Sequence, residues 1–272
     1  MRQHHLYNNL LLFDLFAVEE KVKHFFTTRS GGVSSGSFSS FNMGNFSDDD
    51  PLKISENREI LARMFYLTPD HFITPHQTHG TGVVTIDQEF LSLDRSEMIE
   101  RLYGVDATLT REKGIFLCAT VADCVPILLY DRNKEVIAAI HAGWRGSAGR
   151  IVEKTIHEME HRFGSSPADL LGAIGPAISK NHYEVGEEVM NSFTLNGFDL
   201  NDPLLSTADI ASSRWRIDLK EINRRELIRL GVKANNIEMS ELCTYEGSDL
   251  FFSARRQTVH SGRMLCGIMM VP

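Results

Sequence analysis

Two short segments of the chain place a reactive side chain where an apolar run ends. The segment VADCVP (121–126) contains Cys124, and IHAGWRG (140–146) contains His141 before a glycine-containing turn. Ligands often bind at such positions, because a strand is rigid while its end is accessible. Cys124 is therefore a candidate nucleophile or metal ligand, and the alternative is a buried structural cysteine. For His141, a candidate ligand or base, the alternative is a histidine that caps or packs locally.

A third segment, HQTHG (76–80), contains two histidines. On an extended segment His76 and His79 would point to opposite faces, so only one is expected at a given site, and the residues alone do not choose between them. The spacing differs from HExxH, in which histidines four apart on a helix share a metal. One of these histidines, with Cys124 and His141, would form a three-ligand zinc site whose fourth position is open, as in catalytic zinc enzymes.

The stretch TTRSGGVSSGSFSSFNMG (27–44) is rich in glycine and serine and contains Arg29 near its start. Glycine lets backbone N–H groups approach an anion, hydroxyl groups add donors, and arginine supplies a bidentate fork. We therefore predict an anion-binding loop formed by Arg29 and residues 30–44. The stretch lacks the ending of a Walker A loop, and the alternative is an ordinary turn-rich hairpin loop. For Arg255 and Arg256 the alternative to ligand binding is likewise a solvated surface.

The elements that must position these residues are short. Apolar runs rich in branched or aromatic residues predict strands over 10–17, 22–28, 82–86, 114–121, 125–131 and 135–141. The last two are separated by RNK, which predicts a hairpin. Helical periodicity with capping residues predicts helices over 50–65, 148–163 and 218–231. Strands mixed with helices and hairpins indicate an α/β or α+β fold with a mixed sheet.

The composition, with 42% hydrophobic and 24% charged residues in a chain of 272, is typical of a globular protein. A net charge of −8, spread along the chain, argues against nucleic-acid binding and leaves room for a small anion held by local arginines. No stretch reaches the roughly 18–20 apolar residues of a membrane span, and no signal peptide is recognised. Four cysteines without an export signal do not suggest a disulfide framework. We therefore expect a reduced, cytoplasmic protein.

Seven motifs occur in order along nearly the whole chain: TRSGGVSSGSFSSFNMG, HQTHG, VADCVPILLYD, IHAGWRG, IGPAIS, YEVGEEV and FFSARRQTVHSGRM. In this combination the chain resembles the bacterial YfiH/YlmD family, relatives of a mammalian laccase-domain protein once labelled multicopper polyphenol oxidase. Within the family the motifs look most like those of the YlmD-type proteins of Gram-positive bacteria. One departure is KNHYEVG (180–186), where relatives often carry a cysteine before the tyrosine, and we expect no effect on the metal.

The resemblance implies a single α/β domain over residues 1–272 with α-β-β-α layers and mixed sheets, related to the cysteine-hydrolase-like fold of the cytotoxic necrotizing factor catalytic domain. It implies a zinc ion held by His79, Cys124 and His141, which selects His79 over His76. The implied activity is phosphorolysis of adenosine, inosine, guanosine and methylthioadenosine to base and ribose 1-phosphate, with an adenosine deaminase side activity. The expected partners are therefore purine nucleosides and phosphate, with no nucleic acid and no membrane.

Residues for the other roles in this reaction are also proposed from the sequence. Arg29 with its loop is the candidate for phosphate by charge complementarity, and Asn42 and Arg145 are further substrate-binding candidates. The H-x-E…P-C-x-x-C pattern of zinc nucleobase deaminases is absent, so Asp123, next to Cys124, is the candidate acid or base. The alternative for Asp123 is a carboxylate that orients a ligand histidine.

Other functions stay open. One is a metal-free cysteine hydrolase with Cys124 as nucleophile, which would suit peptidoglycan quality control, where relatives are implicated. Another is a non-catalytic partner protein in cell division or wall synthesis. Copper (Cu²⁺) is an alternative metal, but multicopper oxidases need about ten histidine or cysteine ligands, typically in His-x-His pairs. The 11 histidines include no such pair, so we expect polyphenol oxidation to be minor.

Overall fold

Two six-stranded sheets form the centre of the computed structural model, which describes residues 1–209 and 212–272. The first sheet has the spatial order β1 (Arg2–Gln3), β2 (Leu10–Leu12), β3 (Val22–Thr27), β15 (Met264–Met270), β7 (Phe116–Val121) and β4 (Phe72–Ile73). The second has the order β14 (Ile237–Met239), β10 (Leu170–Ile174), β8 (Val125–Asp131), β9 (Val136–Ala142), β6 (Val105–Thr110) and β5 (Gly82–Thr85). A smaller sheet contains β11 (Glu184–Val185), β13 (Arg214–Ile217) and β12 (Ser206–Asp209).

The helices of the described residues vary from one turn to four. They are α1 (Asp14–Ala17), α2 (Pro51–Met64), α3 (Gln88–Leu91), α4 (Arg95–Arg101), α5 (Trp144–Ala148), α6 (Ile151–Phe163), α7 (Glu187–Leu195), α8 (Leu219–Arg229) and α9 (Ala254–Gln257). Within 1–209 and 212–272, no helix combines the length and the hydropathy needed to cross a membrane.

The two large sheets pack face to face, because successive residues of a strand point to opposite faces. In β8, Leu128 and Tyr130 enter the core between the sheets, whereas Ile127 and Leu129 enter the core beneath the helices. Helices α6, α7 and α8 cover the outer face of the second sheet, and α2 covers the outer face of the first. The layers are helix, sheet, sheet and helix. The mixed α/β fold expected from the sequence is therefore confirmed, while the relation to a cysteine-hydrolase-like fold stays a prediction.

The hairpin predicted from RNK is confirmed, and its register positions two chemical groups. Strands β8 and β9 pair antiparallel from Val125 opposite Ala142 to Asp131 opposite Val136. The residues just before β8 therefore lie beside the residues that end β9. Strand β6 pairs with the other edge of β9, with Ala107 opposite Ile140. The three strand ends meet at one end of the second sheet.

The helix predicted over 148–163 is confirmed from Ile151 to Phe163, but its first three residues belong to the end of a shorter helix and to a break. The chain forms α5, breaks at Gly149 and Arg150, and then forms α6. Arg150 adopts a left-handed backbone with φ 60°, which ends one helix and begins the next. Gly149 packs so closely that a Cβ atom there would lie 2.7 Å from the Thr81 side chain. The break therefore brings α5 close against the chain near Thr81.

The predicted strand over 10–17 is wrong in its second half. Only Leu10–Leu12 is a strand, and Asp14–Ala17 forms α1. Phe13 and Phe16 both enter the core between the sheets, and residues three apart share a face on a helical turn but not on a strand. The helices predicted over 50–65 and 218–231 are confirmed, and strands β6, β10 and β15 were not predicted from the pattern.

Candidate functional site

Three side chains from separate segments converge at the end of the second sheet. The ligand atoms of His79, Cys124 and His141 all lie within 4.8 Å of one another. Zn–N distances of about 2.0–2.1 Å and Zn–S distances of about 2.3 Å put two ligand atoms of one ion at most roughly 4.4 Å apart. Small side-chain movements would therefore allow all three to hold one ion. The structure brings together the three residues proposed from the sequence as metal ligands, and the choice of His79 over His76 agrees with this geometry.

His141 is fixed by a carboxylate that was not singled out in the sequence. The Asp106 Oδ1 atom lies 2.7 Å from His141 Nδ1, and both side chains are buried. Hydrogen bonding at Nδ1 orients the ring and leaves Nε2 as the nitrogen available to a ligand. A metal-bound histidine almost always donates its other ring N–H to a carboxylate, a backbone carbonyl or water. Asp106 therefore occupies the orienting role that the alternative interpretation gave to Asp123.

The same carboxylate also holds the turn that carries His79. Asp106 accepts hydrogen bonds from the backbone N–H groups of Thr78, His79 and Gly80, at 3.3, 3.0 and 2.8 Å. His79 itself has a left-handed backbone with φ 61°, a conformation that costs free energy and persists only when neighbouring contacts impose it. Burial opposes the charge of Asp106, but His141 and these N–H groups outweigh it and lower the pKa of the carboxyl. One buried carboxylate thus positions two of the three candidate ligands.

Gly143 provides the space in which the three side chains meet. A Cβ atom at this position would lie 3.1 Å from the His79 ring, 3.3 Å from Cys124 Sγ and 3.6 Å from the His141 ring. The first two distances are tighter than ordinary van der Waals contact, so a larger residue would displace the candidate ligands. A glycine is therefore needed immediately beyond β9 for geometric reasons.

The electrostatic environment favours a thiolate at Cys124. Burial alone would raise the pKa of this thiol, but the charge of His141 and hydrogen bonds from His141 and His79 outweigh burial and lower the pKa to about 6. Burial lowers the pKa of His141, yet Cys124 and Asp106 outweigh it and raise that pKa to about 9. The thiolate is the form that binds metals and acts as a nucleophile. The site is therefore prepared for either role.

The trio lines a cavity of about 580 Å³, within the usual range for small-molecule sites. One part of the lining is apolar or aromatic, and it comprises Phe46, Trp144, Ile178, Tyr183 and Val259. Burial raises the pKa of Tyr183, so its hydroxyl stays protonated and can donate a hydrogen bond at neutral pH. The cavity therefore joins a charged end to apolar walls that suit a ring.

Three arginines reach this cavity: Arg145, Arg255 and Arg263. The Arg263 guanidinium donates to the carbonyls of residues 259, 261 and 262, and the Arg255 guanidinium donates to the Glu184 carbonyl. The Arg145 guanidinium lies over the Trp144 ring at 4.2 Å and makes no hydrogen bond or ion pair with the described part of the chain. The whole Arg145 guanidinium is therefore left for an anion, whereas Arg255 and Arg263 use part of theirs on backbone carbonyls.

Arg29 and Asn42, by contrast, do not line this cavity. The Arg29 guanidinium donates to the backbone carbonyls of Ser39 and Ser248 and stacks over Phe252. Asn42 is fully buried, and its amide bonds only protein groups.

The glycine- and serine-rich loop is also held away from the cavity. Asn57 of α2 accepts a hydrogen bond from Val33 N–H and donates to Ser34, Ser40 and Asn42. Within residues 30–44, Gly44 alone reaches the cavity lining. The loop therefore does not form an anion site in this cavity, and anion binding by Arg29 and residues 30–44 stays a prediction.

Asp123 lines the cavity but is occupied by protein donors. Its Oδ1 accepts from the Thr244 hydroxyl at 2.6 Å, and its Oδ2 accepts from the Ser253 hydroxyl at 3.0 Å and the Arg255 N–H at 2.7 Å. Its backbone is left-handed, with φ 88°. These contacts fix the chain next to Cys124 and tie it to the start of α9. The geometry favours a positioning role for Asp123 over transfer of a proton.

Asp106 was missed although the sequence carries a signal for it. A carboxylate inside the strand-like run VDATL must find partners when the strand is buried. The sequence does not show which partners, because they come from residues 26 to 35 positions away along the chain. His76, the histidine that the trio leaves out, instead stacks on Phe46.

Comparisons with known proteins identify the family and the fold of this chain. The model of a family described as multi-copper polyphenol oxidoreductase laccase matches residues 23–271. The purine nucleoside phosphorylase of Bacteroides thetaiotaomicron is 42% identical over 260 residues, 96% of each chain. Adenosine deaminase RL5, from an unknown prokaryotic organism, is 39% identical over 92% of this chain and 94% of its own. The crystal structure of YlmD from Geobacillus stearothermophilus aligns with a TM-score of 0.90 at 31% identity, over 100% of this chain and 99% of its own.

Proposed function

Since the chain belongs to the multi-copper polyphenol oxidoreductase laccase family, we propose that it is a zinc-dependent purine nucleoside phosphorylase. It would convert adenosine, inosine, guanosine and methylthioadenosine to base and ribose 1-phosphate. The observation that carries this proposal is the convergence of His79, Cys124 and His141 in a cavity that also holds the unpaired Arg145. The name of the Bacteroides thetaiotaomicron relative supports the reaction class.

The donor set fits a single zinc ion. Two imidazoles and one thiolate are ligands that zinc prefers, and three protein ligands leave one position for a substrate or water. Asp106 would hold His141 and the His79 turn in the binding geometry. A bound zinc ion supplies a positive charge that polarises an oxygen atom at that position. Cu²⁺ is the alternative metal at the same trio.

The donor set does not fit a multicopper cluster. Within 1–209 and 212–272, the one group of three or more histidine, cysteine or acidic side chains with converging ligand atoms is this trio. A blue-copper centre with a trinuclear cluster needs about ten ligands. We infer that polyphenol oxidation, which the family description names, is not the main reaction of this chain.

In phosphorolysis a phosphate oxygen attacks the anomeric carbon of ribose while the purine departs. Arg145 would bind the phosphate through its free N–H donors, and Trp144 beneath it would limit the positions of the guanidinium. The Tyr183 hydroxyl would donate a hydrogen bond to the substrate and stay protonated. Arg255 and Arg263 would favour an anion in the cavity through their charge, although some of their N–H donors already bind backbone carbonyls.

Two other activities have specific support. Adenosine deamination is supported by the name of the RL5 relative and would require the purine C6, instead of the ribose, at the trio. A cysteine hydrolase is favoured because Cys124 lies beside His141 and His141 lies beside Asp106. These three residues could act as nucleophile, base and orienting carboxylate. A nucleophile and its base do not need His79, whereas a zinc site does. His79 therefore separates the metal proposal from the hydrolase.

Chromatography of adenosine and inosine incubated with the zinc-loaded protein tests the proposal. Purine base formed only when phosphate is present is the expected result. Inosine as the main product from adenosine, with or without phosphate, would replace phosphorolysis by deamination. The variant His79→Ala should lose zinc and activity together. Full turnover of nucleoside by His79→Ala without zinc would overturn the metal proposal.

A further inference from the structure

An aromatic stack forms part of the cavity wall and has no role in the site described so far. The Phe46 ring lies face to face with the His76 ring, with centroids 3.7 Å apart and an interplanar angle of 10°. The edge of the Tyr103 ring meets His76 at 4.8 Å. Phe46 and His76 line the same cavity as Cys124 and His141. The stack therefore presents a flat aromatic surface within the cavity that holds the candidate ligands.

The segment that carries Phe46 is held in place by a buried amide. Asn42 Oδ1 accepts hydrogen bonds from the N–H groups of Gly44 and Arg263, at 3.0 and 2.9 Å. Its Nδ2 donates to the Ser47 hydroxyl at 2.9 Å. Asn42 thus fixes the chain both before and after Phe46, at Gly44 and at Ser47. Asn42, which the sequence proposed for substrate binding, does not line the cavity, and its hydrogen bonds hold this loop in place.

A second cavity-lining segment is tied to the first. Val259 also lines the cavity. In the next residue, His260, the Nδ1 atom lies 2.5 Å from Asp48 Oδ2. The Arg263 N–H bond to Asn42 joins the same two segments. Phe46 and Val259 therefore lie on connected loops, and each contributes an apolar surface to one cavity.

Phe46 is exposed to an extent that core packing does not explain. It is 59% exposed, so its ring contributes little of the apolar burial that stabilises a fold. Tyr66 is still more exposed, at 92%, but lies outside this cavity. What distinguishes Phe46 is the combination of an exposed ring, a fixed plane and a position beside the trio. A π-face in such a place favours a planar aromatic ligand.

We propose that the Phe46–His76 stack binds the purine base of the substrate, with Val259 as a second apolar contact. This proposal rests on the proposed function, because it assigns the base to one wall of the cavity used for phosphorolysis. Stacking tolerates different bases, since every base has a π-face. The stack would therefore accept adenine, hypoxanthine and guanine alike, and selectivity among them would come from polar groups elsewhere in the cavity.

Steady-state kinetics of Phe46 variants test this assignment. Stacking of a base on an aromatic ring is worth enough that Phe46→Ala should raise the KM for inosine roughly tenfold or more. The KM for phosphate should change much less. The inhibition constant of free hypoxanthine should rise by the same factor as the KM for inosine. A general loosening of the cavity would instead raise the KM for phosphate as well. Phe46→Trp should restore both values, whereas Phe46→Leu, which keeps bulk without a π-system, should not.

The controls separate this proposal from the proposed function. Tyr66→Ala removes an exposed aromatic ring outside the cavity and should leave all three constants unchanged. A wild-type protein that forms no base from any nucleoside would refute the phosphorylase proposal. If the wild type is active and Phe46→Ala has the same KM for inosine and the same inhibition constant for hypoxanthine as the wild type, the stacking proposal alone is refuted. Equal increases in the KM for inosine and phosphate would also refute it, because they would indicate a structural role.

Discussion

Cys124 and His141 at the cavity differ sharply from Cys118 and His24 in the interior, although the residue types are the same. Burial raises the pKa of Cys118 to about 12 and lowers that of His24 to about 4. Both interior groups are therefore neutral at pH 7. At the cavity, burial acts in the same directions. However, His141 stabilises the Cys124 thiolate, and Cys124 and Asp106 stabilise the His141 imidazolium, so the pKa of the thiol falls and that of the imidazole rises.

The difference shows that burial alone does not decide whether such a group is reactive. His24 packs against Phe13 and Phe16, and its Nε2 accepts a hydrogen bond from the Phe13 N–H, so its surroundings favour the neutral ring. Cys124 is only half-buried and has two imidazoles as neighbours. A charged partner at hydrogen-bond distance outweighs desolvation at the cavity, and no such partner is found beside His24 among the described residues.

The largest effect is expected from truncating one cysteine of each kind. Cys124→Ala should abolish zinc binding and lower kcat/KM at least ~1000-fold, because several kcal/mol of charge stabilisation would be lost. Cys118→Ala should keep activity and lower the free energy of unfolding by about 1 kcal/mol, through the small cavity it leaves. Kinetics, metal analysis and denaturant unfolding of both variants provide the comparison. Activity retained in Cys124→Ala would remove the distinction between the two regions.

In metal-free protein, Cys124 should react much faster with a thiol reagent than the interior cysteines do. At pH 7 Cys124 is mostly thiolate, because its pKa is about 6, whereas Cys118 and Cys266 are buried thiols with raised pKa values. Iodoacetamide should alkylate Cys124 at least ~100-fold faster than the other two. The rate should fall as the pH drops below about 6, where Cys124 gains a proton. Mass spectrometry of peptides identifies each site, and equal labelling of Cys118 would contradict the interpretation.

A smaller effect is expected when the carboxylate behind the site is neutralised. Asp106→Asn should weaken zinc affinity roughly 10–100-fold, the usual range for residues that orient a ligand histidine. Competition with a chromogenic chelator measures this affinity. The matched control is Asp131→Asn, which changes another buried aspartate of the same sheet. Among the described residues, the Asp131 carboxylate accepts only from the N–H groups of Asn133 and Lys134. Equal losses of zinc affinity in both variants would mean that Asp106 acts through general stability.

The smallest effect concerns stability at acid pH. The pKa of His24 is about 4 in the folded protein and 6.5 in the unfolded chain, so unfolding takes up a proton between these values. The folded state therefore loses stability as the pH falls from about 6.5 towards 4, by about 2 kcal/mol at pH 5. His24→Gln, which keeps an acceptor for Phe13 N–H but does not titrate, should remove this part of the loss.

Denaturant unfolding at pH 7.5 and pH 5 measures the difference between wild type and His24→Gln. The control His157→Gln changes an exposed histidine of α6 and should keep the wild-type pH dependence. If wild type and His24→Gln lost stability equally, the interior histidine would not be held neutral by the fold.

Sequence patterns were sufficient for the parts of the site that lie at the ends of predicted strands. Cys124 and His141 were found from apolar runs that end in turns, and Arg145 follows His141 in the same motif. The choice between His76 and His79 needed the family resemblance, because on an extended segment either histidine could face the site. For the fold, the β8–β9 hairpin and the caps of α2 and α8 were readable because they depend on neighbours in the chain.

The parts that could not be predicted depend on distant contacts. Asp106 reaches His141 only because β6 pairs with β9, and residue spacing does not reveal strand order. The place of Arg29 and its loop outside the cavity was not readable, because a loop that binds Asn57 of α2 has the same composition as one that binds phosphate. The turn of α1 follows from the need to bury Phe13 and Phe16 in one core, which overrides the local strand pattern.

The most direct test of the central claim is the ³¹P NMR spectrum of inosine and phosphate incubated with zinc-loaded protein. We predict a ribose 1-phosphate resonance that grows as inorganic phosphate is consumed, and that is absent with Cys124→Ala or after removal of the metal by a chelator. Formation of ribose 1-phosphate at the same rate by metal-free protein or by Cys124→Ala would contradict the claim that His79, Cys124 and His141 form the metal site of a purine nucleoside phosphorylase.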